Sequence, residues 1–177
     1  AIVTDLDDCS KDEVIRRLVD AAVATSGIPV ENTENIVEQV LAREAKGSTG
    51  LGGGVALPHV KGTDDVHQLC GAFGRSDTGI DYNAVDGRPV HVLFLILSPK
   101  DQLDQHIGIL RRISEIRENE HYLASFQRAK SGEALAKLIG GLGSFMNHEA
   151  KPMTGRSASH QGPETAQAPA SPPLAEI

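Results

Sequence analysis

The sequence predicts an α/β domain built in layers around a mixed β-sheet. Amphipathic helical patterns lie before, between and after short apolar stretches that favour strands, as expected of a sheet covered by helices. The run at 90–97 is aliphatic and β-branched without alternation, which is typical of a central strand buried on both faces. With 177 residues, the chain is long enough for one domain with a substantial core.

Two helices are predicted first. A capping box at 10–13 begins the first helix, and Gly27 with Pro29 ends it, because glycine and proline disfavour its continuation. The second helix begins near residue 32, carries an apolar stripe at helical spacing and ends at Gly47.

Strands and further helices follow. Short strands are predicted at 54–57 and 66–75, separated by a polar loop and followed by the central strand. The segment 98–101 indicates another helix start with proline at the first helical position. Weaker helical patterns lie at about 119–129 and 131–139.

The composition changes after residue 140. Five of the nine prolines fall in 141–177, together with Ser, Ala, Gln and Gly. Such a segment has too few apolar side chains to form a core. We therefore expect a folded domain at 1–140 and a disordered tail at 141–177, or a linker leading to a further domain.

Charge and cysteine content limit the function classes. The net charge of -7 argues against a nucleic-acid binder, which usually presents a basic face, and fits poorly with an anionic membrane. The longest apolar run is too short to span a bilayer. Cys9 and Cys70 match no C-x-x-C spacing, so we expect reduced thiols and a cytoplasmic protein.

The stretch 43–59 carries the most chemistry. It contains a helix end, a glycine-rich loop, a short apolar strand and a terminal histidine. The loop matches neither a nucleotide P-loop nor a dinucleotide fingerprint. It is either a mobile turn or a phosphate-binding loop, in which Ser48, Thr49 and Gly52 would supply hydroxyl and backbone donors to an anion.

Three side chains are candidates for a catalytic group. Pro58 restrains the chain before His59, and a neutral imidazole is a good nucleophile near pH 7. Arg43 has the planar fork that suits phosphoryl oxygens, and His106 lies near a helix N-terminus that favours anions. Taken singly, each has a simpler explanation: an ordinary surface or core histidine, a helix-end cation, or a polar edge residue.

The segment 43–59 has the pattern R-E-x-x-G-S-T-G-[IL]-G-x-G-x-A-[IL]-P-H. This pattern resembles the phosphorylation site of the mannitol/fructose-type enzyme IIA domains of the bacterial sugar phosphotransferase system, which include a nitrogen-regulatory branch. The similarity extends from about Ile2 to Ile139 and includes Ser98-Pro99. It implies a mixed sheet with helices on both faces.

The resemblance also implies site roles and partners. His59 would be the phosphorylated residue, His106 the second active-site histidine and Arg43 the phosphate-stabilising arginine, with no metal or nucleotide cofactor. A histidine phosphocarrier protein would donate the phosphoryl group, and an enzyme IIB protein or a regulatory target would receive the output. No membrane helices follow, which favours the regulatory branch modestly.

Three functional hypotheses therefore stay open at this point. The chain is a phosphohistidine relay, a binding regulator that senses its own phosphorylation without a downstream acceptor, or a metal-dependent hydrolase. No H-x-x-x-H or H-E-x-x-H motif supports the last. For the first two, we expect the apolar residues Val55, Leu57 and Val60 to contribute a docking rim beside His59.

Overall fold

The computed structural model describes residues 1–129 and 131–147, and over these residues it shows six strands and five α-helices. Short 3-10 turns at Val30–Asn32 and Lys100–Gln102 lead into the second and third helices. In chain order the elements are β1 Ile2–Val3, α1 Lys11–Ser26, α2 Thr33–Ala45, β2 Gly50–Gly52, β3 Val55–Ala56, β4 His59–Lys61, β5 Cys70–Ile80, β6 Val90–Ser98, α3 Leu103–Glu118, α4 Glu120–Arg128 and α5 Gly132–Asn147.

The sheet is mixed, as predicted. Its strand order is β1-β5-β6-β3-β2, and β4 also pairs with β6. The β5–β6 and β2–β3 pairs are antiparallel, whereas β1–β5, β3–β6 and β4–β6 are parallel. The aliphatic run predicted to be a central strand is β6, and it borders three other strands.

Both faces of the sheet are covered by helices, which confirms the layered architecture. Successive side chains of β6 point to opposite faces. On one face, Leu93, Leu95 and Leu97 pack in a cluster with apolar residues of α1 and α2. On the other, Val92, Phe94 and Ile96 of β6 pack with residues of α3, α4 and α5. Burial of these two apolar clusters is the main stabilising contribution.

The helix boundaries follow the predicted signals closely. The Ser10 hydroxyl accepts a hydrogen bond of 3.3 Å from the Glu13 N–H at the start of α1. Gly27 ends the helix in the left-handed region with φ of 67°, where glycine has no steric penalty. The second helix ends at Ala45, two residues before Gly47.

The prediction of a strand at 66–75 needed correction. Residues 66–69 are not in a strand, and the Leu69 N–H donates to the Gln102 side-chain oxygen instead of to a neighbouring strand. The strand instead runs on to Ile80, with an irregularity after Arg75. Three strands were not predicted from the sequence: β1, β2 in the glycine-rich stretch, and β4.

The final helix continues past residue 140, the predicted end of the domain. The rest of the predicted tail, 148–177, lies outside the described residues, so the boundary stays a prediction. Among the described helices, none has the length and apolar character needed to cross a membrane.

Candidate functional site

The parallel pairing of β4 with β6 brings three chain segments together. His59 opens β4 opposite Ile96 of β6, and the residue after Ser98 leads through a 3-10 turn into α3. His106 therefore lies in the first turn of α3, beside the carboxyl end of β6. Arg43 reaches the same place from the last turn of α2, which packs against β4.

Hydrogen bonds fix the orientation of the His59 ring. Its Nδ1 lies 2.8 Å from the Leu57 carbonyl oxygen. A carbonyl can only accept, so Nδ1 carries the proton and the neutral ring has its lone pair on Nε2. Arg43 Nε donates to that Nε2 at 3.3 Å. The half-buried ring thus presents a nucleophilic nitrogen next to a guanidinium.

The environment of His59 keeps the imidazole neutral. Burial is the largest effect and lowers its pKa below 6.5. The hydrogen bond to the Leu57 carbonyl and the charge of Glu44 oppose this shift, whereas the positive charges of Arg43 and Lys61 add to it. The Arg43 Nη1 also donates to the Gly47 carbonyl at 3.0 Å. Among the described residues, Arg43 forms no ion pair with a carboxylate, so its charge is available to an anion.

His106 is the buried partner of this pair. Its side chain is 1% exposed, its ring centroid lies 5.4 Å from that of His59, and its Nδ1 lies 2.7 Å from the Ser98 hydroxyl oxygen. Burial lowers the pKa of His106 to about 4, with nearby His59 and Lys61 acting in the same direction. Its Nε2 has no hydrogen-bond partner within the described part of the chain.

The hydroxyl groups of the glycine-rich loop are engaged within the protein. Thr49 is buried, and both its N–H and its hydroxyl donate to the carboxylate of Glu44. Ser48 donates its hydroxyl to the Tyr82 carbonyl at 3.0 Å. Glu44 is itself buried and pairs with Lys11 at 3.3 Å. In this arrangement the Thr49 hydroxyl fastens the loop to the end of α2, and the Ser48 hydroxyl fastens it to the segment after β5.

The structure does not bring Gly52 to the histidine pair. Gly52 has φ of 81° at the tip of the β2–β3 hairpin, where the next N–H donates to the Asp86 carboxylate. Arg117 holds the same hairpin by donating to the Leu51 carbonyl. Arg117 lies eleven residues after His106 on α3, which corresponds to about 16 Å along the helix axis.

The expected docking rim is wrong. Val55, Leu57 and Val60 are buried in the two apolar clusters, because helices cover both faces of the sheet in this region. The exposed apolar side chains near the site are instead Leu103 and Ile107, which are 42% and 62% exposed and flank His106 on α3.

Three residues of the site were not predicted from the sequence. Lys61 follows His59 by two positions on β4, so the two side chains start on the same face of the strand. The spacing H-x-K in a strand is the signal that would have identified it. Ser98 was interpreted only as part of a helix start, and the carboxylate of Glu44 gave no signal of its tertiary partners.

Metal ligation finds no support in the residues that the structure describes. Among them, no group of three or more His, Cys, Asp or Glu side chains is arranged to hold a metal ion. The His59–His106 pair lacks a third ligand of this kind, so the hydrolase alternative is not favoured.

Comparison with known proteins gives a family match. A family model described as the phosphoenolpyruvate-dependent sugar phosphotransferase system, EIIA 2, matches residues 1–140. The chain is 34% identical over 119 residues to the nitrogen regulatory protein of Klebsiella oxytoca, covering 67% of this chain and 72% of that protein. It is 32% identical over 138 residues to the fructose-specific EIIABC component of Bacillus subtilis, covering 78% of this chain and only 21% of that protein.

Solved structures share the fold. The nitrogen regulatory protein IIA-Ntr from Neisseria meningitidis superposes with a TM-score of 0.68 at 27% identity, covering 78% of this chain and 91% of that one. The mannitol IIA of Escherichia coli, in a complex with phosphorylated enzyme IIB, gives a TM-score of 0.63 at 20% identity. The match covers 79% of this chain and 94% of that one. The latter shows likeness of fold alone.

The neutral state of buried His106 predicts a dependence of stability on pH. The unfolded chain binds a proton near pH 6.5 and the folded one only near pH 4, so acidification through this window favours unfolding. Between pH 7 and about pH 4.5, we expect this residue to account for a loss of about 2 kcal/mol in the free energy of unfolding. Urea unfolding of wild type and His106→Gln at both pH values measures it. Equal losses in the two proteins would contradict the assignment.

Proposed function

Because the chain belongs to the phosphoenolpyruvate-dependent sugar phosphotransferase system EIIA 2 family, and is thus a phosphotransferase component, we propose that His59 carries the phosphoryl group. The observation that carries this proposal is the orientation of the His59 ring. Its Nδ1–H is held by a carbonyl, so its lone pair lies on Nε2, beside the guanidinium of Arg43.

The proposed phosphoryl transfer needs neither a metal ion nor a general base, because no proton has to leave His59. Nε2 of His59 attacks phosphorus in line, the new N–P bond forms, and the bond to the donor's nitrogen breaks. The donor imidazole leaves with the electron pair of that bond. The Nδ1 proton stays in place, and the positive charge that develops on the His59 ring is stabilised by the Leu57 carbonyl oxygen.

In this proposal the transferred phosphoryl group is bound by two cationic side chains and by a hydrogen bond from a neutral imidazole. At rest, Arg43 Nε occupies the lone pair of His59; when a donor docks, the guanidinium moves onto the phosphoryl oxygens. Lys61 adds a second positive charge on the same face of β4. His106 contributes a hydrogen bond from its unpartnered ring nitrogen to a phosphoryl oxygen.

The loop residues have a supporting role in this proposal. Ser48 fastens the loop to the Tyr82 carbonyl, and Thr49 fastens it to the Glu44 carboxylate. These bonds hold the end of α2 and so position the adjacent Arg43. The sequence-based assignment of Gly52 as a phosphate-binding residue stays a prediction, and its place beside the Asp86 carboxylate argues against it.

We propose a cytoplasmic phosphocarrier of the nitrogen-regulatory branch, with the family match at 1–140 supporting a domain of that extent. A histidine phosphocarrier protein is the proposed donor. An enzyme IIB protein or a regulatory target is the proposed receiver, since a structurally similar IIA protein forms a complex with phosphorylated IIB. The alternative, a regulator without an acceptor, uses the same site and differs in whether the phosphoryl group leaves.

Phosphoryl transfer in vitro tests the function. With phosphoenolpyruvate, enzyme I and the histidine phosphocarrier protein, we expect one acid-labile phosphate on wild type by intact mass and none on His59→Ala. Arg43→Lys keeps the charge but loses the planar fork, so its rate should fall at least about tenfold. His67→Ala, at an exposed histidine outside the site, is the matched control and should match wild type.

Two results of this assay are decisive. Phosphate on His59→Ala at the wild-type level would refute the assignment of the acceptor. Addition of an enzyme IIB protein then distinguishes the alternatives, because rapid loss of phosphate indicates a relay and a long-lived phosphoprotein indicates a regulator.

The exposed pair Leu103 and Ile107 predicts the docking surface for the donor. Substituting both by Ser should raise the KM for the phosphocarrier protein about tenfold with little change in kcat, because the chemistry is not touched. Val85→Ser, at a 77% exposed residue beside the hairpin tip, is the control and should leave KM unchanged. An unchanged KM in the double variant would contradict this placement.

A further inference from the structure

Ser98 is a buried hydroxyl in contact with the site. It is the last residue of β6 and is fully buried. Its Oγ lies 2.7 Å from His106 Nδ1 and 3.5 Å from the Val60 carbonyl oxygen. A hydroxyl can donate one hydrogen bond only, so these two partners compete for a single proton.

The distance to the competing acceptor favours one direction of the hydrogen bond. The 2.7 Å contact between Ser98 and His106 fits either direction, but the Val60 carbonyl at 3.5 Å is at the limit of a hydrogen bond and is a poor acceptor for the Ser98 proton. The Ser98 proton therefore points to His106 Nδ1, which accepts it. In a neutral imidazole the other nitrogen must then carry the hydrogen, so His106 is in its Nε2–H form.

The opposite direction would change the chemistry of the site. If Ser98 donated to Val60, it would accept from Nδ1–H of His106, and Nε2 would present a lone pair. Phosphoryl oxygens also present lone pairs, so the same ring would repel the group that it is placed to stabilise. One hydroxyl proton thus decides between attraction and repulsion.

The Nε2–H of His106 is buried and has no acceptor in the described part of the chain. A buried donor without a partner is unfavourable, and its ring lies 5.4 Å from the His59 ring by centroids. A phosphoryl group on His59 would supply the missing acceptor. We propose that Ser98 is a positioning residue that holds His106 in the Nε2–H tautomer, ready to donate to the phosphoryl group.

The proposal rests on the proposed function, but its first readout needs no partner. Long-range 1H–15N correlation spectra of the unphosphorylated, 15N-labelled protein report which ring nitrogen of His106 is protonated. We expect the Nε2–H form in wild type and in Ser98→Thr, which keeps the hydroxyl. Ser98→Ala should show a mixture of the two tautomers.

Transfer kinetics give the second readout. For Ser98→Ala we expect kcat to fall about five- to tenfold, the effect of weakening one hydrogen bond. The KM for the donor should be unchanged, because a fully buried residue cannot touch a docking protein. Ser98→Thr should restore kcat. Backbone amide spectra confirm that each variant is folded.

The outcomes separate the two proposals. An Nδ1–H tautomer in wild type, or a wild-type tautomer in Ser98→Ala, overturns the role of Ser98 whatever the transfer assay gives. A changed tautomer with wild-type kcat also overturns it. Absence of phosphate on wild type with active partners overturns the proposed function, and the tautomer measurement then shows separately whether Ser98 sets the state of His106.

Discussion

The hydrogen bond between His59 Nδ1 and the Leu57 carbonyl is the constraint on which the rest of the site depends. At 2.8 Å it leaves the lone pair on Nε2 and fixes the direction in which that nitrogen points. In the proposed transfer, Arg43 and His106 act on the oxygens of a phosphoryl group bound at Nε2, so their contribution depends on this direction. A free ring would expose either nitrogen and would lose this preorganisation.

The central strand connects this hydrogen bond to the fold. β6 pairs with β4, which begins at His59, and ends at Ser98, which contacts the ring of His106. The same strand supplies apolar side chains to both clusters of the core, so apolar burial on both faces of the sheet holds it in position. The chain has a net charge of -7, but the local charge at the site is positive because Arg43 and Lys61 lie beside the two histidines. Burial keeps both imidazoles neutral.

The sequence predicted what depends on local pattern. The layered fold, the central strand and the helix limits at Ser10 and Gly27 follow from periodicity and capping, and the structure brings together the predicted trio of Arg43, His59 and His106. Tertiary partners were not predictable in this way. Thr49 has a hydroxyl that could bind an anion, yet this hydroxyl donates to Glu44. The buried carboxylate of Glu44, five residues earlier, requires hydrogen-bond donors.

The most direct test is the identity of the phosphorylated nitrogen. Long-range 1H–15N and 31P spectra of the phosphorylated, 15N-labelled chain distinguish the two isomers of phosphohistidine and assign the residue. We predict a single phosphohistidine at His59, linked through Nε2, with Nδ1 still protonated. Phosphate on Nδ1 of His59, or on another histidine, would contradict it, since the Leu57 hydrogen bond would then not determine the nucleophile.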